Sequence, residues 1–212
     1  MVSGYSYQLS AISSRLGPFV SRFPAPDSSS VSRLPSPGSS GLNSAVMALT
    51  AAQREELLQR YEKGPVLLRD AFAQVPREAW KWRPKENRWS VHEIVCHCAD
   101  SEMNAAARIR YLIAEEKPLI LGYDQERWAK VLDYHNARIE LALAAVDVMR
   151  ALTVNLLRSL PESAWSIVGT HTESGAYSME DWLNIYAEHL EKHSRQIEKN
   201  LLQWRAEETS PG

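Results

Sequence analysis

Residues 178–204, SMEDWLNIYAEHLEKHSRQIEKNLLQW, have the pattern of one long amphipathic helix and set the fold class. Ser178 and Asp181 have the spacing of an N-terminal cap. The side chains that share one face recur every three or four residues: Trp182, Tyr186, His189 and His193. We therefore predict a helix that runs to about Trp204 and turns this face inward.

His189 and His193 are four residues apart, so they lie about 40° apart on the same face, one turn from each other. Two imidazoles in this arrangement can share a metal ion, but they can also be solvated or form a satisfied pair in the core. No Glu follows the first histidine, which excludes the His-Glu-x-x-His pattern of metalloproteases. A third ligand from elsewhere in the chain is needed to decide.

The sequence upstream contains three further long amphipathic segments, at about 50–75, 90–116 and 135–160. Thr50 with Gln53 and Ser90 with Glu93 have capping-box spacing, and we expect Gly64–Pro65 to kink or split the first helix. No strand pattern is convincing, although residues 161–178 could hold short extended pieces. These features predict an all-α protein, an up-down-up-down four-helix bundle or a near relative.

Residues 1–46 differ in composition from the rest, which we assign to one domain at 47–212. The first segment is rich in Ser, Pro and Gly, which predicts a disordered tail, either an upstream extension or, less favoured, an organelle transit peptide. Its three arginines and one aspartate give +2, so the total charge of −2 leaves −4 on the remainder. An acidic body argues against nucleic-acid binding.

No stretch approaches the roughly 20 apolar residues that a membrane span needs, so we expect no membrane association. The two cysteines, Cys96 and Cys98, are one residue apart in a predicted helix and point in different directions. They therefore cannot pair with each other or chelate a metal together with His97, and we expect Cys98 in the core. The absence of a disulfide framework fits a reducing, cytoplasmic location.

The second helix contributes His97 as the candidate third ligand. His97, Ser101, Asn104 and Arg108 fall within a stripe roughly 60° wide, which either lines a cavity or is simply the solvated face. Asp100 is a candidate catalytic residue that would orient the His97 ring, or else an exposed acid. Arg108 and Asn104 are candidate substrate-binding residues, although Arg108 could instead form an ordinary salt bridge.

We expect the remaining histidines near helix starts, His92 and His135, to be solvated.

Three stretches, WSVHEIVCHCADSEMN, KPLILGYDQERW and YAEHLEKHSRQI, resemble the DinB-like four-helix-bundle superfamily. They look closest to its branch of metal-dependent hydrolases and bacillithiol S-transferases, over about residues 50–202. In that family, one histidine of the second helix and a His-x-x-x-His pair of the fourth bind a divalent metal. The resemblance therefore implies that His97, His189 and His193 are the metal ligands.

Three imidazoles with open positions are typical of a catalytic rather than a structural site. Imidazole suits zinc and nickel, which we expect first, and also iron or copper. The resemblance implies a metal-dependent enzyme that either transfers a low-molecular-weight thiol to a small electrophilic molecule or hydrolyses such an electrophilic molecule. The alternatives are a metal-binding, stress-related bundle without turnover, acting as a homodimer, and a helical interaction module whose histidines bind nothing.

Overall fold

The computed structural model describes residues 48–209, so the predicted tail at residues 1–46 lies outside the described residues. The elements of the described part are, in chain order, α1 (Ala51–Ala73), α2 (Val91–Ala114), β1 (Leu119–Ile120), α3 (Gln125–Val131), α4 (Ile139–Arg158), β2 (Val168–His171), β3 (Gly175–Ser178) and α5 (Met179–Glu208). Short 3-10 turns precede α2 and β2. The predicted all-α four-helix bundle is confirmed, with α1, α2, α4 and α5 as its long helices.

The predicted helix starts are confirmed at three of the four long helices. In α1, α2 and α5 the capping side chain accepts a hydrogen bond from the backbone N–H three residues on. The side chain at that position accepts a second hydrogen bond from the backbone N–H of the capping residue. These reciprocal bonds satisfy backbone groups that a helix end leaves without partners. The residue pairs involved are Thr50 and Gln53, Ser90 and Glu93, and Ser178 and Asp181.

Helix α1 continues through Gly64–Pro65, so the predicted split does not occur. Proline has no N–H and leaves the carbonyl four residues earlier, that of Tyr61, without its usual helical donor. The guanidinium of Arg150 donates to this carbonyl instead. A bond from another helix therefore replaces the one that proline removes.

The four helices do not strictly alternate in direction. Helices α2 and α4 run the same way, because His92 near the start of α2 bonds Ala137 just before α4, while Glu102 and Arg150 meet at mid-helix. Residues 115–138, which contain β1 and α3, carry the chain back along the bundle between them.

Helices α1 and α5 also run the same way, because Arg54 and Arg60 of α1 pair with Glu180 and Glu191 of α5 in the same chain order. Helix α5 is antiparallel to α2. Trp182 at the start of α5 bonds the carbonyl of Ala105 late in α2, and Asn200 bonds the carbonyl of Trp89 just ahead of α2. The observed order is up-down-down-up rather than up-down-up-down. In this arrangement α5 packs between α1 and α2, so it can present residues to both.

A small sheet, which the sequence did not predict beyond short extended pieces, closes one end of the bundle. Strand β1 pairs in parallel with β2, and β2 pairs antiparallel with β3. Gly175 at the hairpin turn has φ +80°, a backbone conformation that glycine adopts without strain. The sheet joins the long connection after α2 to the loop before α5.

The core of the described part has two large apolar clusters, one towards each end of the bundle, and a third, smaller one of Cys96, Ala129 and Tyr134. One large cluster contains Leu68, Ile94 and Leu190, and the other large cluster contains Ile109, Leu157 and Trp182. The buried side chains of Glu102 and Arg150 lie at the level between the two large clusters. No helix among residues 48–209 is long and apolar enough to cross a membrane.

Candidate metal centre

His97, His189 and His193 form a cluster where α2 crosses α5. One ring nitrogen from each lies within 4.8 Å of those of the other two. The ring centroids are 4.8 Å apart for His97 and His193, 4.6 Å for His189 and His193, and 5.4 Å for His97 and His189. The antiparallel crossing places His97 opposite the one-turn pair, so three donors from two helices face one point.

The ring nitrogens are suited to metal binding because two of the imidazoles are held neutral. Burial, together with the neighbouring His193 and His189, lowers the pKa of His97 to about 2. Burial and the adjacent His189 lower the pKa of His193 to about 4. Neutral imidazole is the form that coordinates a cation, so near pH 7 both rings have a lone pair available.

A hydrogen bond selects which nitrogen of His193 keeps its lone pair. Nδ1 of His193 lies 2.9 Å from the amide oxygen of Gln196, which can only accept, so Nδ1 carries the proton and Nε2 keeps its lone pair. Nε2 of His189 lies 3.3 Å from the hydroxyl of Ser101. Nδ1 of His97 and Nδ1 of His189 are buried and have no hydrogen-bond partner among residues 48–209.

Behind His189 lies Glu102, a residue to which the sequence analysis assigned no role. Its Oε1 is 3.8 Å from Nδ1 of His189, within ion-pair range although longer than a hydrogen bond. A carboxylate in this position favours a proton on Nδ1 and leaves Nε2 for a cation. The arrangement matches the carboxylate–histidine–metal pattern of protein metal sites.

Glu102 is held in place by Arg150 in a fully buried ion pair. The guanidinium meets the carboxylate through two hydrogen bonds, of 2.6 and 2.7 Å, and also donates to the carbonyl of Tyr186 at 3.0 Å. The hydroxyl of Tyr61 donates to the same carboxylate at 3.3 Å. Burial opposes ionisation of Glu102, but Arg150 and His189 together outweigh it and lower the pKa of this carboxyl group.

A sequence signal for this pair exists. Glu102 interrupts the apolar stripe formed by Cys98, Ala105 and Ile109 on α2, and Arg150 interrupts that formed by Val146, Val154 and Leu157 on α4. A buried charge is tolerated only when it is paired, so an acid and a base at core positions of two helices predict each other.

The predicted polar stripe of α2 faces α5 rather than solvent over its first half. His97 and Ser101 are buried, and Asn104 and Arg108 are half-buried. Arg108 donates to the hydroxyl of Tyr186 at 3.0 Å and to the carbonyl of Leu121 at 2.5 Å, and it lies over the ring of Tyr123. Within residues 48–209 it forms no ion pair, so the alternative of an ordinary salt bridge is not supported.

The proposed contact of Asp100 with His97 is not formed. The Asp100 carboxylate instead accepts a hydrogen bond of 2.5 Å from the hydroxyl of Tyr134, because the two side chains meet on the side of α2 that faces the long connection. The amide of Asn104 donates to the backbone carbonyl of Asp100. The structure therefore brings together the three histidines, leaves Arg108 beside Tyr186, and gives the Asp100 carboxylate Tyr134 rather than His97 as its partner.

For two further residues, His92 and Cys98, the structure tests the predicted burial. His92, expected to be solvated, is buried: it donates from Nε2 to the carbonyl of Ala137 at 2.8 Å because α2 and the segment before α4 meet there. Cys98 lies in the core, as expected.

Comparison with known proteins identifies the family. The profile of the DinB superfamily matches residues 60–197. The chain belongs to the DinB superfamily. A relative from Oceanobacillus iheyensis, named "Putative metal-dependent hydrolase", is 32% identical over 142 residues, which are 67% of this chain and 82% of that protein. A relative of the same name from Bacillus licheniformis is 31% identical over 147 residues, 68% of this chain and 82% of that protein.

Two solved structures of other proteins have the same fold as this chain. YfiT from Bacillus subtilis, described as having "an unusual four-helix bundle topology", superposes with a TM-score of 0.70 at 24% identity, covering 75% of this chain and 91% of that chain. A mycothiol-dependent maleylpyruvate isomerase superposes with a TM-score of 0.57 at 12% identity, covering 68% of this chain and 60% of that chain. At these identities the likeness shows the fold alone.

Proposed function

We propose that this DinB-superfamily protein is a divalent-metal-dependent enzyme acting on a small electrophilic molecule. The observation that carries the proposal is the convergence of His97, His189 and His193, with their ligand nitrogens within 4.8 Å of one another. The three donors fit a divalent cation, since two rings are held neutral and the third has a buried carboxylate behind it. Zinc or nickel suits this all-nitrogen donor set.

Transfer of a thiol is the first candidate reaction. A metal ion, when bound, lowers the pKa of a coordinated thiol or water and so supplies a nucleophile near neutral pH. The name of the mycothiol-dependent neighbour supports a thiol as co-substrate. Hydrolysis is the second candidate, because both curated relatives are named as hydrolases of the metal-dependent kind.

The chain's own cysteines are unsuited to act as the nucleophile, so the thiol must be a separate molecule. Burial and the nearby Asp100 raise the pKa of Cys96 to about 12, and burial raises that of Cys98 well above its ordinary value. Both side chains are buried. A thiol that stays protonated and covered is a poor nucleophile.

The surrounding residues have distinct roles in this proposal. Glu102 and Gln196 hold protons on Nδ1 of His189 and His193, which keeps their Nε2 atoms as donors. Trp89, whose ring centroid is 4.7 Å from that of His97, covers that imidazole from solvent. Arg108, a cation without an acidic partner among the described residues, would bind an anionic group of the thiol, with Asn104 beside it on the same helix face. A homodimer and a cytoplasmic location stay predictions.

The test is metal content followed by activity. Purified wild-type protein should contain close to one divalent ion per chain by elemental analysis, and His193→Ala should contain almost none. His135→Ala removes a histidine outside the cluster and should keep the ion. Equal metal in wild type and His193→Ala would refute the site, whereas metal without turnover of a fluorogenic electrophile, with or without thiols, would favour the non-catalytic alternative.

A further inference from the structure

A recess opens beside the histidine cluster, between the segment ahead of α2 and the last turns of α5. Its volume is about 450 Å³. The side chains that matter for its chemistry are Lys85, Arg88, Trp89, Gln196, Lys199 and Asn200. A recess of this size accommodates a small molecule rather than a single ion.

The recess is positively charged. Lys85, Arg88 and Lys199 line it, and none of its lining residues is acidic. Elsewhere in the described part of the chain, arginines such as Arg60 and Arg69 are neutralised by ion pairs, but no ion pair within residues 48–209 includes the three cations of the recess. Three unneutralised cations around one concavity attract anions and concentrate them there.

Two walls of the recess are also contacts of the histidine cluster. Trp89 packs against the ring of His97, and the Gln196 amide oxygen accepts a hydrogen bond from Nδ1 of His193. Asn200 donates to the carbonyl of Trp89 at 2.9 Å and so fixes this wall to α5. A molecule in the recess is therefore separated from the metal ligands by one layer of side chains.

The recess and Arg108 lie on opposite sides of the cluster. Arg108 contacts Tyr186, one turn before His189, whereas Gln196 and Lys199 follow His193 along α5. A transfer reaction needs two substrates bound at one site. The two cationic features lie on the two sides of the histidines, so each could hold the anionic end of a different substrate whose reactive end extends towards the cluster.

We infer that the recess binds the anionic part of a second small-molecule substrate, one that carries carboxylate or phosphate groups. Lys85, Arg88 and Lys199 neutralise these groups, and the amides of Gln196 and Asn200 border the polar body of the molecule. The assignment of this ligand as a substrate rests on the proposed function. The ability of the recess to bind anions does not.

Anion binding is tested on the full-length protein after metal removal with a chelator. The probes are citrate, for carboxylates, and inorganic pyrophosphate, for phosphates, titrated at constant ionic strength while the indole N–H signal of Trp89 is followed by NMR. Trp89→Phe identifies that signal. We expect a saturable shift with at least one probe, and the tighter probe shows which anionic group the recess prefers.

The decisive comparison is between two triple variants that lose the same charge. Lys85→Gln/Arg88→Gln/Lys199→Gln should weaken binding at least tenfold, whereas Lys63→Gln/Arg110→Gln/Lys117→Gln, altered at exposed positions outside the recess, should bind as wild type does. A shift that does not saturate, or an equal loss in both triple variants, overturns the inference.

Failure of this inference is distinguishable from failure of the proposed function. If the wild type binds metal but shows no saturable anion binding, the anion-binding role of the recess is refuted and the proposed metal centre is not. If the protein binds anions but never takes up metal, the proposed metal centre is refuted and the anion-binding role of the recess is not. In the active enzyme, the triple variant Lys85→Gln/Arg88→Gln/Lys199→Gln should raise the KM of one substrate at least tenfold. Arg108→Ala should raise the KM of the other substrate, and both variants should keep the wild-type metal content. A rise in the KM of the same substrate in both variants would refute the two-sided arrangement.

Discussion

The guanidinium of Arg150 donates a hydrogen bond to the backbone carbonyl of Tyr61, the carbonyl that Pro65 leaves without its helical donor. Gly64 makes this approach possible, because a Cβ at that position would lie 3.0 Å from Arg150 Nη1 and 3.1 Å from Leu190 Cβ. The Gly–Pro step therefore admits Arg150 without breaking α1. Arg150 in turn holds Glu102 behind His189, so a backbone irregularity in α1 is linked to the metal centre by three contacts.

Loss of Arg150 should destabilise the protein strongly. In Arg150→Met the carboxylate of Glu102 stays buried without its cation, and breaking a buried pair in this way costs about 3–5 kcal/mol of unfolding free energy. Arg69→Met, which breaks the half-exposed pair with Asp147, should cost less than about 1 kcal/mol. Urea unfolding of both variants measures the difference, and similar losses would contradict the buried pair's importance.

Glu102→Gln should weaken metal binding without removing any metal ligand. The neutral amide no longer favours the proton on Nδ1 of His189, and loss of such an outer partner typically costs roughly 10–100-fold in metal affinity. Competition with a chromogenic chelator measures the affinity of the folded protein. Glu191→Gln, which alters an acid on the same helix as the ligands but paired with Arg60, should leave it unchanged.

A purely structural effect of Glu102 is separated by a double variant. Replacing both partners, as in Glu102→Met/Arg150→Met, should recover most of the stability that Arg150→Met loses. Metal affinity should nevertheless stay low, since no carboxylate faces His189. Recovery of both stability and metal affinity would show that Glu102 does not position the ring.

Arg108→Ala should raise the KM for an anionic thiol while kcat and metal content stay at wild-type values. Losing a charge-assisted contact costs about 1.5–3 kcal/mol, or roughly 10- to 150-fold. Arg110→Ala is the matched control, since Arg110 is exposed and, among the described residues, bonds only the carbonyl of Ala106 within its own helix. An unchanged KM would show that Arg108 does not bind the thiol. Loss of metal would show that Arg108 helps to hold the histidine cluster in place.

His92 should make the stability of the fold sensitive to mild acid. Burial lowers its folded-state pKa below the ordinary 6.5, more than the bond to Ala137 raises it. The unfolded chain therefore takes up a proton first, so the contribution of His92 is complete above about pH 6.5 and is lost as the pH falls below it. Stability measured by urea unfolding at pH 7.5 and 5.5 should decline less in His92→Gln than in wild type.

The control for this prediction is His135→Gln, which changes a half-exposed histidine. Its decline between the two pH values should match that of wild type. If the stability of His92→Gln falls between the two pH values as much as that of wild type, the imidazole of His92 is not responsible for the pH dependence.

The sequence by itself determined the local structure and pointed to the three histidines of the cluster as candidate ligands. The cap residues fix where α1, α2 and α5 begin, because a capping side chain bonds backbone groups within its own first turn. The spacing of His189 and His193 fixes their shared face for the same local reason, and the resemblance of the motif around His97 to the DinB-like superfamily supplies the third candidate. Each of these signals involves residues close together in the chain, so no knowledge of packing is required.

Tertiary structure alone decided the direction of α4, the burial of His92 and the partner of Asp100. The long connection lets α4 run parallel to α2, which places Arg150 against Glu102, His92 against Ala137 and Tyr134 against Asp100. The recess between the segment ahead of α2 and the end of α5 has the same origin. Such contacts join residues far apart in sequence, and they depend on how complete helix faces bury their apolar surface and pair their charges, which no local pattern encodes.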